Sequence, residues 1–263
     1  MVLDGKTIVL TRQENESSEF ISYLKSKNAI PFALPTIKII KKNKISETLI
    51  NSIIDYDPDF SVFMSVKAVK LLFSEAVDIS KYHQLQLAIA NTIVVAVGPK
   101  TKNALEHENI KVSYMPKRYS SVGIGEIFTK INAYNKKIII PRSSASTPFL
   151  SSLLTKIGLH VQENYIYDTI SFHDRKPWIN FYKLFMNDKI DGIIFTSSSS
   201  VKSFFEIILS YCTHDIVVNK LHRIKIVAIG PTTSYELIKF NIKNITSKYY
   251  TIDGAIETMF NIL

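Results

Sequence analysis

The sequence predicts an α/β protein built on parallel sheets. Three observations carry that prediction. Short apolar runs rich in β-branched residues recur along the chain, each run is continuous rather than alternating, and a turn-like cluster and a helical pattern follow most of them. A strand covered by helices on both faces has no reason to alternate polar with apolar residues. Strand–helix alternation with short connections then makes βαβ units.

Taken in order, Thr7–Leu10 (TIVL) is the first strand and Glu14–Lys27 its helix. Ala29–Ile40 is extended, because Pro31 and Pro35 bar both a helix and a central strand. Phe60–Met64 (FSVFM) leads into a helix over Ser65–Phe73, and Thr92–Val97 (TIVVAV) into one over Lys100–Glu108. Lys137–Ile140 (KIII) is a further buried run, and His160–Phe172 alternates enough to be a strand. Gly192–Phe195 (GIIF) precedes a helix over Ser199–Ser210, and Lys225–Ile229 (KIVAI) ends at the turn of Gly230. Ala29–Ile40 and His160–Phe172 are expected outside the parallel strands of the repeat described next, as connections between domains.

The two halves resemble one another in register. Ser65 and Ser197, in FMSVKAV and FTSSSSV, lie 132 positions apart, and so do Gly98 and Gly230, in VAVGPKT and VAIGPTT. The same offset of 132 separates Asp59 from Asp191 and Asn109-Ile110 from Asn241-Ile242, while Arg12 and Arg142 are 130 apart. Five pairs in nearly one register argue for duplicated domains.

A chain of 263 residues fits one large domain or two ordinary ones. With 46% hydrophobic and 21% charged residues, intrinsic disorder is excluded. Cys212 is the one cysteine, so neither an intramolecular disulfide nor a structural Cys cluster for zinc is available. The segment MVLDGKTIVLTR lacks the apolar core of a signal peptide, and no apolar run approaches the ~18 residues of a membrane span, so a soluble, cytoplasmic protein is expected. The formal net charge of +9 favours anionic partners. Its lysines are scattered, as at Lys41, Lys42, Lys44, Lys136 and Lys137, so the charge permits such a partner without specifying one.

The motifs with chemical content are strand-to-helix turns. Ser65, Ser197, Ser198 and Ser199 sit where a strand ends and a helix begins, and Gly98 with Thr101 and Gly230 with Thr233 do likewise. Such residues cap free N–H groups, and an amide-rich helix start also binds anionic oxygens. Capping alone explains any single turn. Four of them on the carboxyl side of parallel strands, where α/β sheets take their ligands, point to a binding cleft. Arg12 and Arg142 are expected to end strands on that side, where a guanidinium can grip a carboxylate or engage a neighbouring acid. Other templates fail. Gly123-Ile124-Gly125 has Phe128 in place of a third glycine, the histidines show no ligand spacing, and there is no phosphate loop, nucleophile elbow or RNA-binding motif. The residues alone describe a two-domain α/β protein that binds a small polyanion, with neither metal, nucleotide, nucleic acid nor membrane as partner.

The ordered motifs, TR after the first strand, F-x-S-x-x-x-V, V-G-x-x-T, F-T-S-x-x-x-V, I-G-P-x-T and Ile166-Tyr167-Asp168-Thr169, resemble the uroporphyrinogen-III synthase family from Thr7 to about Glu257. The resemblance implies two doubly wound parallel-sheet domains, about 1–36 with 171–263 and 37–170, with the active site in the cleft between them. It also implies that a two-stranded β-ladder joins them and that the first strand is swapped into the carboxy-terminal domain. It implies a hydro-lyase that cyclises hydroxymethylbilane, a linear tetrapyrrole with eight carboxylates, to uroporphyrinogen III with inversion of ring D, and needs no cofactor. The substrate would pass from hydroxymethylbilane synthase to a monomer. Tyr167 matches a tyrosine thought to help the hydroxyl leave. Substrate contacts would fall on Arg12, Ser65, Val66, Lys67, Gly98, Thr101, Arg142 and Ser143, and on Thr196, Ser197, Ser198, Ser199, Gly230, Thr232 and Thr233. Met64 and Val66-Lys67-Ala68 depart from the family's small polar residues, and Tyr165 is expected to share a strand face with Tyr167. The alternative is a non-catalytic two-domain binding protein for small polyanions.

Overall fold

The computed structural model describes residues 3–12 and 17–263. Among them the strands are β1 Thr7–Leu10, β2 Ile30–Ala33, β3 Ile37–Lys41, β4 Phe60–Phe63, β5 Ile93–Ala96, β6 Lys137–Ser143, β7 His160–Ser171, β8 Gly192–Phe195, β9 Lys225–Ala228 and β10 Ile245–Thr246. The helices are α1 Ser18–Ser26, α2 Ile45–Tyr56, α3 Val66–Asp78, α4 Tyr82–Ala90, α5 Pro99–His107 and α6 Ser121–Lys130, then α7 Phe149–Lys156, α8 Arg175–Met186, α9 Ser198–Ile208, α10 His214–Leu221, α11 Pro231–Lys239 and α12 Ile252–Phe260. The first helix was expected from Glu14, and Glu14 lies outside the described residues. No described helix is long and apolar enough to cross a membrane.

The chain divides into two compact units, Met1–Lys38 with Ile170–Leu263, and Ile39–Thr169. The first holds a sheet of order β10-β9-β8-β1-β2, and the second sheet has the order β3-β7-β6-β4-β5. The pairings of β1 with β2 and β8, and of β8 with β9, are parallel. Those of β4 with β5 and β6, and of β6 with β7, are parallel too. β2 and β7 are thus parallel members of the sheets, which corrects the expectation that Ala29–Ile40 and His160–Phe172 stand outside the parallel strands. The boundaries of the two units, at Lys38/Ile39 and Thr169/Ile170, fall within these same segments. The proline argument still holds for position: β2 contains Pro31 and is the last strand of its sheet, where a missing N–H breaks no ladder. An edge strand is covered less completely, so it lacks the continuous apolar run that marks β1 or β8.

Those runs fill both faces of each sheet. In the first unit Val9, Ile193, Phe195 and Ile226 pack on one side with Trp178, Phe181, Phe204 and Phe205 of α8 and α9. Ile8, Leu10, Ile194 and Val227 pack on the other with Phe20, Leu24, Ile256 and Met259 of α1 and α12. In the second unit Phe63, Val94, Ala96 and Ile139 face α2 and α3, while Phe60, Val62, Val95, Ile138 and Ile140 face α6 and α7. Consecutive residues therefore serve opposite cores, which is why the runs are unbroken.

The amino ends of the central strands are clamped by the repeated aspartates. Asp59, just before β4, accepts the Lys136 ammonium and the Lys137 N–H, both at 2.8 Å. Asp191, just before β8, accepts Lys6 at 2.8 Å and the Thr7 N–H at 2.9 Å. Each ties its strand to the start of a neighbour, β6 or β1. Asn109 and Asn241 have φ of 57° and 59° just past α5 and α11, the left-handed position that asparagine tolerates at a helix end.

Burial works to raise the Asp59 carboxyl, but the hydrogen bonds from Lys136 and Lys137 and the Lys136 charge outweigh it and hold the group below its ordinary 3.8. A folded-state value that is depressed gives stability that is present above the ordinary value and lost as pH falls through the folded one. The difference in Tm between the wild type and Asp59→Asn should therefore hold steady from neutral pH down to about 5 and close below 3.8. Melting curves across that range check it, and a gap that persists at the acid end would dismiss the clamp.

Candidate active site

The register of each sheet brings the predicted turns to one rim. In the second unit Phe63 pairs with Ala96, so Ser65 and Gly98 both follow two residues beyond the paired ends. Ser143 pairs with Tyr167 near the same end of β6 and β7. In the first unit Leu10 is level with Ile194 and Ile194 with Val227, so Arg12, Thr196 and the turn before Gly230 leave the sheet together.

The helix starts on these rims are of two kinds. Ser65 is the N-cap of α3, and its hydroxyl accepts the Ala68 N–H at 3.1 Å. Ser197 caps α9 by accepting the Ser200 N–H at 3.0 Å, while the Ser200 hydroxyl takes the Ser197 N–H at 3.1 Å, closing a capping box. These serines already do what capping asks of them. The N-caps of α5 and α11 are Gly98 and Gly230, which have no side chain to spend, and proline follows each as the first helical residue. No described acceptor takes the N–H of Lys100, Thr101 or Thr232. Thr101 and Thr233 are only 4% and 1% exposed, yet their hydroxyls have no hydrogen-bond partner among the described residues. Open amides, a positive dipole end and an unengaged hydroxyl at one spot suit a carboxylate oxygen.

A second polar web holds the rim of the first unit. The Thr11 hydroxyl lies 3.2 Å from both the Ile194 carbonyl and the Ser200 hydroxyl. Thr196 donates its N–H to that hydroxyl at 3.2 Å and its own hydroxyl to the Thr11 carbonyl at 3.1 Å. Thr196 is thereby bound to the end of β1. Ser198 and Ser199, the first two residues of α9, are half-buried with unpartnered hydroxyls among the described residues. Arg12 is half-buried just past β1, and Val66 and Lys67 open α3, also half-buried. Thr232 is exposed on the first turn of α11. Met64 packs as a partly buried side chain against the α6–α7 core.

Arg142 departs from expectation. It does not end a strand, because β6 continues through it to Ser143. Its side chain is 10% exposed and donates to Glu163 at 2.5 Å and to the Thr147 carbonyl at 3.1 Å. Its Nε is buried without a partner among the described residues. Glu163 also accepts the Tyr165 hydroxyl at 2.7 Å, and this hydrogen bond, then the charge of Glu163, raises the Tyr165 phenol above its ordinary value. A bulge at Arg142/Ser143 sets Tyr165 and Tyr167 opposite consecutive residues of β6 and breaks the strand's alternation. Tyr165 is 46% exposed, while Tyr167 packs with Ile166 against the α2–α3 core. The shared face expected of the two tyrosines is lost to that extra residue. The Tyr167 hydroxyl has no partner among the described residues. Its carbonyl accepts the Ser144 N–H at 3.0 Å, and Ser143 lies 3.2 Å from Thr169, so the end of β6 is fastened to the strand that carries the phenol.

Thr11, Ser200 and Glu163 were missed by sequence reasoning. Ser200 was legible as the third helical residue after a serine cap, whereas nothing local marks Glu163 as the partner of Arg142. Among the described residues no group of three His, Cys, Asp or Glu side chains is placed to hold a metal ion.

Residues 18–257 match the profile of a family described as uroporphyrinogen-III synthase HemD. A uroporphyrinogen-III synthase of Chlorobaculum parvum is 26% identical over 255 residues, covering 93% of this chain and 94% of its own. The fold is similar to that of a mutant uroporphyrinogen III synthase from the extremely thermophilic bacterium Thermus thermophilus, with a TM-score of 0.69 at 14% identity over 98% of each chain. It is also similar to the uroporphyrinogen-III synthetase of Helicobacter pylori, with a TM-score of 0.64 at 17% identity over 98% of this chain and 100% of the other.

The two kinds of helix start predict opposite outcomes in the unliganded protein. Ser65→Ala and Ser197→Ala should each lower the unfolding free energy by about 0.5–2 kcal/mol, because an amide loses its acceptor. Thr101→Val and Thr233→Val delete hydroxyls that bond nothing and should stay within about 0.5 kcal/mol of the wild type. Urea denaturation of the four variants measures both.

Proposed function

The chain belongs to the uroporphyrinogen-III synthase family, and from that premise we propose that it is the hydro-lyase that closes hydroxymethylbilane into uroporphyrinogen III. The observation that carries the reading in this molecule is the pair of open helix starts at Gly98 and Gly230, each with a buried, unengaged threonine hydroxyl. A substrate with eight carboxylates needs many such donors, and a chain of net charge +9 attracts it.

On this reading the carboxylate arms take the amides and hydroxyls at Gly98, Thr101, Gly230, Thr232 and Thr233. Further contacts come from Ser198, Ser199, Thr196 and Arg12 in the first unit and from Ser65, Val66, Lys67 and Ser143 in the second. Thr101→Val and Thr233→Val each remove a hydroxyl donor of this kind and should each raise KM. Arg142, already held by Glu163 and Thr147, shapes the rim rather than gripping substrate. Holding the chain folded places ring D for attack, an orientation effect. The pyrrole nitrogen pushes the hydroxyl from its methylene carbon and leaves an azafulvene. Ring D attacks the azafulvene methylene through its substituted carbon to form a spiro intermediate. The bond from that carbon to the bridge toward ring C then breaks, and the freed bridge carbon bonds to the other α-carbon of ring D. That carbon loses its proton, which leaves the ring inverted. Hydroxide leaves poorly, so a proton or strong hydrogen bond must reach it. Tyr167 of β7, beside the end of β6 and with no partner for its phenol among the described residues, supplies it. One chain suffices, and the unstable bilane passes to it from hydroxymethylbilane synthase.

We also infer that the units arose by duplication, with the first strand and helix belonging to the carboxy-terminal half. Three features support this. β8 sits between β1 and β9 as β4 sits between β6 and β5, the aspartate clamps fall at the same places, and a parallel bridge from Val95 to Tyr114 matches the pairing of β9 with β10.

Incubation with enzymatically generated hydroxymethylbilane, followed by identification of the porphyrinogen isomer, tests the reaction. Wild-type protein should give the type III isomer, and only spontaneous type I would dismiss the reading. Tyr167→Phe keeps the ring and its packing, so it should melt nearly as the wild type. Its kcat should fall by about 10²-fold or less, with more type I product escaping. Wild-type kcat with pure type III product would mean that another group protonates the hydroxyl.

A further inference from the structure

We propose that Tyr119 and Tyr250 are stacking platforms on which pyrrole rings of the substrate lie while their carboxylate arms reach the open amides of α5 and α11. The proposal rests on the functional reading above and deepens it.

A β-carbon built on Gly98 would come within 3.2 Å of Cγ of Tyr119, and one on Gly230 within 3.6 Å of Cδ1 of Tyr250. Both glycines have extended backbones, with φ of −172° and −167°, so neither is required by its own conformation. At Gly98 the missing side chain instead admits the ring. Each tyrosine therefore rests against the N-cap of an uncapped helix. The two tyrosines are nonetheless 58% and 61% exposed as residues. They are supported beside the amides and open to solvent elsewhere.

The arrangement occurs twice, 131 positions apart, in Tyr119-Ser120 and Tyr250-Thr251. Ser120 caps α6 by accepting the Gly123 N–H at 3.3 Å, and Thr251 caps α12 by accepting the Gly254 N–H at 3.1 Å. Each tyrosine thus occupies the position before an N-cap, where an apolar residue ordinarily folds back onto the first turn and buries itself. These two do not bury themselves. Tyr250 also has φ of 44°, a left-handed conformation that is costly for an aromatic residue, and no compensating burial accompanies it. The segments that lead to them run parallel to β5 and β9 and emerge on the rim of the open helix starts.

The chemistry fits a pyrrole with acidic arms. An aromatic face holds an electron-rich ring by offset or edge contact, whatever the order of its substituents. The amides beside it take the arm. Neither contact alone would select a polyanion made of aromatic rings from other polyanions.

The test combines turnover of hydroxymethylbilane with equilibrium binding of uroporphyrin III, a stable aromatic octacarboxylate, for wild type and for Ala, Leu and Phe at each tyrosine. Tyr119→Ala and Tyr250→Ala should raise KM and weaken uroporphyrin binding by about fivefold to tenfold, as loss of one ring stack does. Their kcat should stay within about twofold, since no reacting atom is touched. Phe should restore both values and Leu should not, a pattern that a merely structural side chain would not produce. Alanine variants with unchanged KM in an active protein would overturn the stacking proposal and leave the synthase reading intact. Uroporphyrin binding that the alanine variants lose, in a wild type that makes no type III isomer, would support stacking and dismiss the synthase. A wild type that neither turns over the bilane nor binds uroporphyrin would dismiss both.

Discussion

A helix that follows a buried parallel strand begins with amides that no strand can take, and this constraint shapes both units. Parallel pairing sends every strand end of a sheet to the same rim, so the unsatisfied helix starts accumulate there. The chain answers in two ways. At α3 and α9 a serine closes the first turn, and at α5 and α11 a glycine leaves it open. Closed and open helix starts thereby lie on neighbouring helices of one sheet.

The opposite ends of the strands carry no such opening. Asp59 and Asp191 neutralise a lysine and satisfy a strand's first N–H in the same contact. Such partly exposed pairs contribute modestly to stability, but they set which strand lies beside which. Register along the sheet then fixes the level at which Ser65, Gly98, Ser143 and Tyr167 emerge. A contact remote from the donors thus places them.

Arg142 shows how a local reading can leave two partners open. An arginine near a strand end suits an anionic ligand or a neighbouring acid, and its sequence neighbours do not choose between them. Its partner Glu163 lies on β7 and becomes a neighbour only when β7 pairs with β6. A buried guanidinium without that carboxylate would be costly, so the pair must form wherever the strands do. The bulge beside it has a similar origin, and it is what separates the environments of Tyr165 and Tyr167.

The sequence by itself determined the α/β class, the six buried strands, the four rim turns and the repeated Asp, Gly and Ser positions. Each of these is encoded locally, by continuous apolar runs, by capping residues and by spacing, because burial on two faces and helix initiation act on adjacent residues. It also placed Pro31 away from a central strand, since a lost N–H is a local fact. Only the tertiary structure decided that β2 and β7 join the parallel sheets, that Arg142 is spoken for, and that the serine-capped and glycine-capped turns differ in what they leave open. Pairing partners far apart in the chain make those choices, and side-chain hydrogen bonds such as Thr11 to Ser200 exist only after the strands have met. The tyrosines against Gly98 and Gly230 belong to this second group, because a ring beside a helix start is made by two segments that share no sequence signal.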